Sequence, residues 1–281
     1  MSFRTAIKII GQKTGKMTIL CTLFILFYPG LSGITPSVDR IDRDDELPLL
    51  LEKITERIRS YPQLVNWKAS VITVQTEVDK NWKPKKILRI HKTVSFNEEK
   101  RQETILLVEE SEKGETRDIT QKYLRELEEN RRRAEKQEDQ RRQQEQRRQG
   151  ESQRRRPFNL EDFLPFSEKN RPNYTFSRLN DEILEGKPVI VLESRAKTKS
   201  DQLWEGKYFI SQESHDLIKV VLKPAKNPKI VRELLIEATF DVLPSGHFVV
   251  RKTKMKVDAG MFLKNVRMII EEDYTDYSVD A

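Results

Sequence analysis

The stretch KIVRELLIEATFDVLPSGHFVVRKTKMKVDA, residues 229–259, alternates apolar and polar side chains on either side of a Pro-Ser-Gly turn. Ile230, Leu234, Ile236, Ala238, Phe240 and Val242 fall on one side of its first half. Period-two alternation over that length marks a strand with one buried face, and Pro244–Gly246 joins it to a second strand at 247–259.

Moving outward, the same period recurs. Residues 263–274 form the next expected strand, paired with 247–259 across Gly260. Upstream, 203–213 and 217–223 read as a hairpin through 214–216, and 186–196 carries the apolar run VIVL. A short strand is expected at 174–179. Earlier still, 67–78, 87–96 and 101–110 alternate or are rich in β-branched residues, with Leu88, Ile90, Val94 and Phe96 on one face. That makes nine or ten strands. Most are joined by turns too short for parallel crossovers, so the sheet is expected to be mainly antiparallel. Long antiparallel strands twist and curl into whole or partial barrels.

A single helix is expected at 45–60, where Leu47, Leu50, Leu51, Ile54 and Ile58 make one apolar stripe. Pro48 is tolerated in the first turn and Pro62 ends the helix. The expected fold is therefore mainly β (α+β). It is a strongly curved antiparallel sheet, or incomplete barrel, with an N-terminal amphipathic helix covering the concave face.

The charge has to be apportioned before it is interpreted. The 281 residues are 35% charged, with a net charge of +7. Residues 1–36 hold Arg4, Lys8, Lys13 and Lys16 and no acid, a charge of +4. Residues 121–156 hold 13 Lys/Arg against 8 Asp/Glu, a charge of +5, so the remainder carries −2. The basicity lies in two separable segments.

The first resembles a secretory signal. A basic start, the apolar run MTILCTLFILFY (17–28) and the small residues Gly30, Ser32 and Gly33 fit an export leader cut after Ser32 or Gly33. An uncleaved anchor reaching through Ile34 is the alternative. The second segment has no apolar residue between Leu127 and Phe158 except Ala134, so packing cannot stabilise it. A solvated, partly helical excursion or disorder is expected there, with 158–166 (FNLEDFLPF) anchoring the chain back on the sheet. The expected organisation is leader 1–33, linker 34–44, first half of the β domain 45–120, insert 121–156 and second half 157–281.

Catalytic signatures are missing. His91 and His247 are expected within strands and His215 in a turn, and their spacing fits no metal motif. Cys21, the one cysteine, falls in the leader. There is no G-x-S-x-G and no glycine-rich phosphate loop. No enzyme activity, cofactor or metal is expected. Nucleic acid is not expected either, because the insert carries acids among its bases and no interleaved aromatics for stacking. An anionic membrane or polymer surface remains a candidate partner for 121–156.

The segments GKPVIVLESRAK (186–197), EGKYFISQESHDLIKVVLKPAK (205–226), IVRELLIEATFDVLPSGHFVVRKTKMKVDAGMFLKN (230–265) and VRMIIEEDYTDYSV (266–279) follow a recognisable order. In that order the chain resembles outer-membrane lipoprotein-sorting proteins of the lipoprotein-carrier (LolA/LolB-like) superfamily, over about 45–279. The resemblance implies an incomplete barrel, a helical lid and an apolar cavity that takes the acyl chains of lipoproteins. It also implies an exported protein of the periplasm or cell envelope. The charged insert has no counterpart in the well-studied carriers, and no cargo-contacting residue transfers individually. The residues expected to line such a cavity are Leu50, Ile54, Ile58, Leu88, Ile90, Ile236, Phe240, Val266, Met268 and Ile270; plain core is the alternative for each. The expected function is a monomeric lipid- or lipoprotein-binding carrier. The alternative is an envelope interaction protein acting through its basic insert.

Overall fold

The computed structural model describes residues 46–97, 100–145, 164–261 and 264–279. The expected leader, the linker 34–44, Cys21, and Phe158 and Phe163 of the anchor lie outside the described residues.

Helix α1 (Leu47–Ser60) buries Leu50, Leu51 and Ile54, with Leu47 and Ile58 packed beside them, which is the stripe read from the sequence. Pro48 lies in its first turn, where the absent N–H has no helical partner to lose. Tyr61, extended ahead of Pro62, stops it.

The strands are β1 (Trp67–Val78), β2 (Pro84–Asn97), β3 (Lys100–Glu112), β4 (Glu115–Asp118), β5 (Tyr174–Arg178), β6 (Glu182–Leu184), β7 (Lys187–Ala196), β8 (Trp204–Ser211), β9 (Leu217–Pro224), β10 (Val231–Val242), β11 (Phe248–Met261) and β12 (Lys264–Val279). They form one 12-stranded sheet in the order β4-β3-β2-β1-β12-β11-β10-β9-β8-β7-β5, with β6 also on β7. Every pairing is antiparallel. The order ends at β4 on one side and β5 on the other, so the sheet is open. β1 pairs with β12, which stitches the two halves of the chain together at the centre. Register shifts interrupt β1, β2, β8, β10 and their partners, and each one bends and twists the strands locally. The sheet is therefore a curved, incomplete barrel.

The structure corrects some sequence expectations. Gly260 is not a turn. It sits in β11 opposite Asn265, and its N–H donates to Ile230 O at 2.8 Å. A Cβ there would meet the Arg232 guanidinium at 2.4 Å, so this glycine marks a close approach, as strand glycines often do. His247 lies one residue before β11, its Nδ1 2.9 Å from Ser245 Oγ. β4 and β6 were not expected as strands. The turns that precede and follow them, Lys113-Gly114 and Glu185-Gly186, have positive φ at both residues, which suits two-residue hairpins.

The main core joins α1 to the inner side of β7–β9. It contains Ile190, Leu192, Tyr208, Ile210, Leu217 and Val220 together with Leu164 and Phe166. Part of the expected anchor is thus in place. Phe166 packs edge-on to Tyr208 at 4.7 Å, and Arg171 donates to Phe166 O at 3.1 Å. Burial pushes the Tyr208 phenol up. On the other side of the same strands, Val189, Val191 and Phe209 form a second cluster, so the VIVL run is buried on both faces.

Gly206 has φ +157, and a Cβ on it would lie 2.0 Å from the backbone oxygen of Val221. Because backbone cannot yield as a flexible side chain does, Gly206→Ala should lower stability by about 2–3 kcal/mol. Chemical denaturation would check this; an unchanged midpoint would mean that β8 and β9 separate without penalty.

Residues 119–145 belong to a unit separate from the sheet. Within it, α2 (Thr120–Glu145) is a continuous helix. Glu128 pairs with Arg131 and Arg132, Glu129 with Arg133, and Arg131 with Glu135. Such i,i+3 and i,i+4 pairs add about 0.2–0.5 kcal/mol each, which supports a helix that lacks an apolar stripe.

Candidate functional site

The strand register traces one face of the sheet from edge to edge. One row runs Val108, Ile90, Thr73, Glu272, Thr253, Ala238, Val220, Tyr208, Leu192. The next runs Leu88, Gln75, Ile270, Met255, Ile236, Leu222, Gly206. Because α1 packs on Leu192, Tyr208 and Val220, this is the helix-facing, inner face.

The register brings the expected strand residues to that face. Leu88, Ile236 and Ile270 share one row, and Ile90 lies in its neighbour. Met268 stands opposite Val257 and Val266 opposite Ala259, in phase with Ile270. Phe240 stands opposite Val250 and stacks on Phe248 at 4.9 Å, and Phe248 stacks on Tyr61 at 4.8 Å. Leu50 and Ile54 are core residues of α1, with Ile58 half-buried beside them. Leu88, Ile90, Ile236, Val266, Met268 and Ile270 fall outside the helix-centred cluster.

Sequence reasoning missed a polar group on this same face. Lys92 is 3% exposed and Glu272 1% exposed. Lys92 Nζ donates to Glu272 Oε1 and to Glu103 Oε2, each at 3.2 Å. Glu272 also accepts from Thr73 Oγ1 at 2.9 Å and from Tyr274 Oη at 2.8 Å. Arg101 Nη2 stands 2.7 Å from Glu103 Oε1. The desolvated carboxylate is thus enclosed by donors, as burial of a charge requires. Burial, and then the neighbouring Glu272 charge, pushes the Tyr274 phenol up, which keeps it a donor. The signal was available: 92 occupies an inward slot in the series 88, 90, 94, 96, and 272 does so after 266, 268, 270.

Aromatic rings flank this cluster towards one end of the sheet. Trp67 packs near Phe96 at 6.4 Å and Tyr277 at 5.9 Å, and Tyr277 lies 6.4 Å from Tyr274.

The C-terminal end of α1 is tied to the β8–β9 turn. Arg57 Nε and Tyr61 Oη both donate to Asp216 Oδ1 at 2.5 Å, and Ser214 Oγ donates to Oδ2 at 2.6 Å. Burial alone would raise the Asp216 carboxyl. The hydrogen bonds from Arg57, Ser214 and Tyr61 outweigh it and hold the group below its usual range. A depressed carboxylate stabilises the fold above its unfolded value of about 3.9, and that stability is lost as pH falls through the lower folded value. Asp216→Asn should therefore remove about 1–2 kcal/mol at neutral pH and flatten the acid limb of a stability–pH curve. A variant whose acid limb matches the parent protein would show the latch to be inert.

Among the described residues no group of three His, Cys, Asp or Glu could hold a metal ion, and no helix is long and apolar enough to cross a membrane.

No protein-family model and no curated protein matches the sequence. Among solved structures, the chain is similar to a domain from Vibrio parahaemolyticus assigned to outer membrane lipoprotein sorting. Identity is 12%, coverage 82% of this chain and 92% of that one, and the TM-score 0.35. A LolA superfamily protein from Nitrosomonas europaea matches at 13% identity, covering 83% of this chain and 93% of its own, with a TM-score of 0.32. A DUF1329 family protein from Desulfovibrio piger matches at 9%, covering 85% and 94%, with a TM-score of 0.36.

Proposed function

We propose that this protein is an exported carrier of the cell envelope that holds acyl chains of a lipid or lipoprotein on the inner face of its sheet, without catalysis. The carrying observation is a mismatch of size. The inner face spans a path of eleven strands, roughly 50 Å at the usual strand spacing. Among the described residues, the one α-helix in the same unit has 14 residues and is about 21 Å long and 10–12 Å across. It packs on the β7–β11 side, while Leu88, Ile90, Val266, Met268 and Ile270 extend the apolar face beyond it, with Ile90, Met268 and Ile270 buried and Leu88 and Val266 half-buried. An acyl chain laid along these rows would gain about 0.8 kcal/mol per buried methylene and needs no charged partner. In this reading α1 is the movable cover over the helix-side part of the surface. The basic leader followed by a short apolar run supports export.

The test is direct. The protein, recovered from its own envelope, should yield stoichiometric lipid on extraction, and a fluorescent acyl probe should bind saturably and be displaced by that lipid. Ile236→Glu, placing a carboxylate in the middle of the aliphatic row, should weaken the probe by about tenfold or more. Failure to extract lipid or to saturate the probe would remove the carrier reading.

A further inference from the structure

The two ends of the sheet differ in charge. Because every pairing is antiparallel, the β1–β2, β3–β4, β7–β8 and β9–β10 connections lie at one end, and the β6–β7, β8–β9 and β10–β11 connections at the other. The first set (79–83, 113–114, 197–203 and 225–230) holds seven lysines and two aspartates, a net charge of +5. The second set (185–186, 212–216 and 243–247) holds three acids and no lysine or arginine. We propose that the lysine-bearing end of the sheet docks on the anionic headgroups of a phospholipid membrane.

These charges are accessible. Lys80, Lys83, Lys113, Lys226 and Lys229 are exposed, and none pairs with an acid among the described residues. Lys197 donates to Pro172 O at 2.8 Å, and Lys199, 72% exposed, stands 3.7 Å from Glu205. Asp79 is engaged inside its own turn, where it accepts from the N–H groups of Asn81 and Lys83 at 2.7 and 2.9 Å. Each of the four hairpins thus brings at least one exposed lysine to the same end, and neighbouring hairpins of a sheet stand about 10 Å apart. Cations strung along an edge match a surface of many anions, whereas a single phosphate would need them to converge. Trp82 stands among them, half-buried in the β1–β2 turn with a φ of 61° and its ring 3.9 Å from Lys256 Nζ. An indole with one wet side suits the headgroup layer. A polynucleotide would need interleaved rings for stacking, and Trp82 is the one aromatic in these four connections. The half-buried Leu88 and Val266 lie towards the same end of β2 and β12, so docking would turn that end of the acyl rows to the lipid.

The experiment sediments the full chain with vesicles of mixed phosphatidylglycerol and phosphatidylcholine, and with vesicles of phosphatidylcholine alone. The protein should bind the first at low salt, leave them at high salt and ignore the second. At about fivefold per lysine near an anionic surface, Lys80→Gln/Lys83→Gln/Lys226→Gln/Lys229→Gln should weaken binding by about a hundredfold. The same charge removed from α2, in Lys122→Gln/Arg125→Gln/Arg131→Gln/Arg133→Gln, should leave most of the binding in place. Brominated phosphatidylglycerol should quench tryptophan fluorescence in the parent protein and not in Trp82→Phe. The docking end would be overturned by binding that ignores salt or lipid charge, that survives in the four-lysine variant, or that falls as far in the α2 variant. Quenching that is absent from the parent or persists in Trp82→Phe would overturn it too, as would preference for a soluble polyanion, dextran sulfate, at equal charge. None of these readings uses an acyl probe or extracted lipid, so this docking and the acyl reading fail separately.

Discussion

Lys92→Met is expected to destabilise the protein by about 3–5 kcal/mol, the scale for stranding one member of a buried ion pair. The variant keeps nearly the same volume, so the loss is electrostatic and not a cavity. Glu272 would retain its hydrogen bonds from Thr73 and Tyr274 but lose the only cation within bonding distance among the described contacts. Removing the stranded charge as well should restore much of the loss. In Lys92→Met/Glu272→Gln the amide oxygen still accepts from Thr73 or Tyr274, and no charge remains uncompensated. Urea denaturation of the two singles and the double, closed as a cycle, measures the coupling. A Lys92→Met variant that loses less than about 1 kcal/mol would show that water reaches the pair, since exposed pairs are worth that little.

The same pair shows where sequence reading stops. Alternation located β1 to the residue and placed Leu88, Ile236 and Ile270 on one face, because period-two burial is a local property of the chain. That Leu88, Ile270 and Ile236 share one cross-strand row is not local. It depends on β1 pairing with β12, a contact between residues about 200 positions apart, and on bulges that no residue type announces. In the sequence Lys92 and Glu272 are single polar positions within two apolar patterns; only the register brings them within 3.2 Å of each other. β4 was missed for a different reason. Its residues ETRD are exposed on both faces, so there is no hydrophobic period to find. Gly260 was misread because glycine serves turns and close approaches equally well. The charged segment formed a helix over Thr120–Glu145, where strong helix formers and i,i+4 charge pairs act together without an apolar stripe.

Ile54→Ala should cost about 3–4 kcal/mol, because Ile54 is fully buried at the centre of the contact between α1 and β7–β9. The consequence for binding runs the other way. If α1 covers part of the acyl surface, ligand must displace it, and the apparent affinity is reduced by the fraction of molecules in which it is displaced. The side chain at 54 contributes only to the covered state, so its truncation raises that fraction. Stability should fall while acyl-probe association quickens and its apparent affinity rises, by about tenfold for each 1.4 kcal/mol taken from helix docking alone. Asp216→Asn, which loosens the same helix at its other attachment without touching the apolar face, should shift binding in the same direction by a smaller amount. Stopped-flow mixing with the probe, beside denaturation of each variant, separates the two effects. Loss of probe binding in step with stability would mean that α1 is a permanent wall of the core, and the acyl surface would then have to lie wholly on the β12–β1–β2 side.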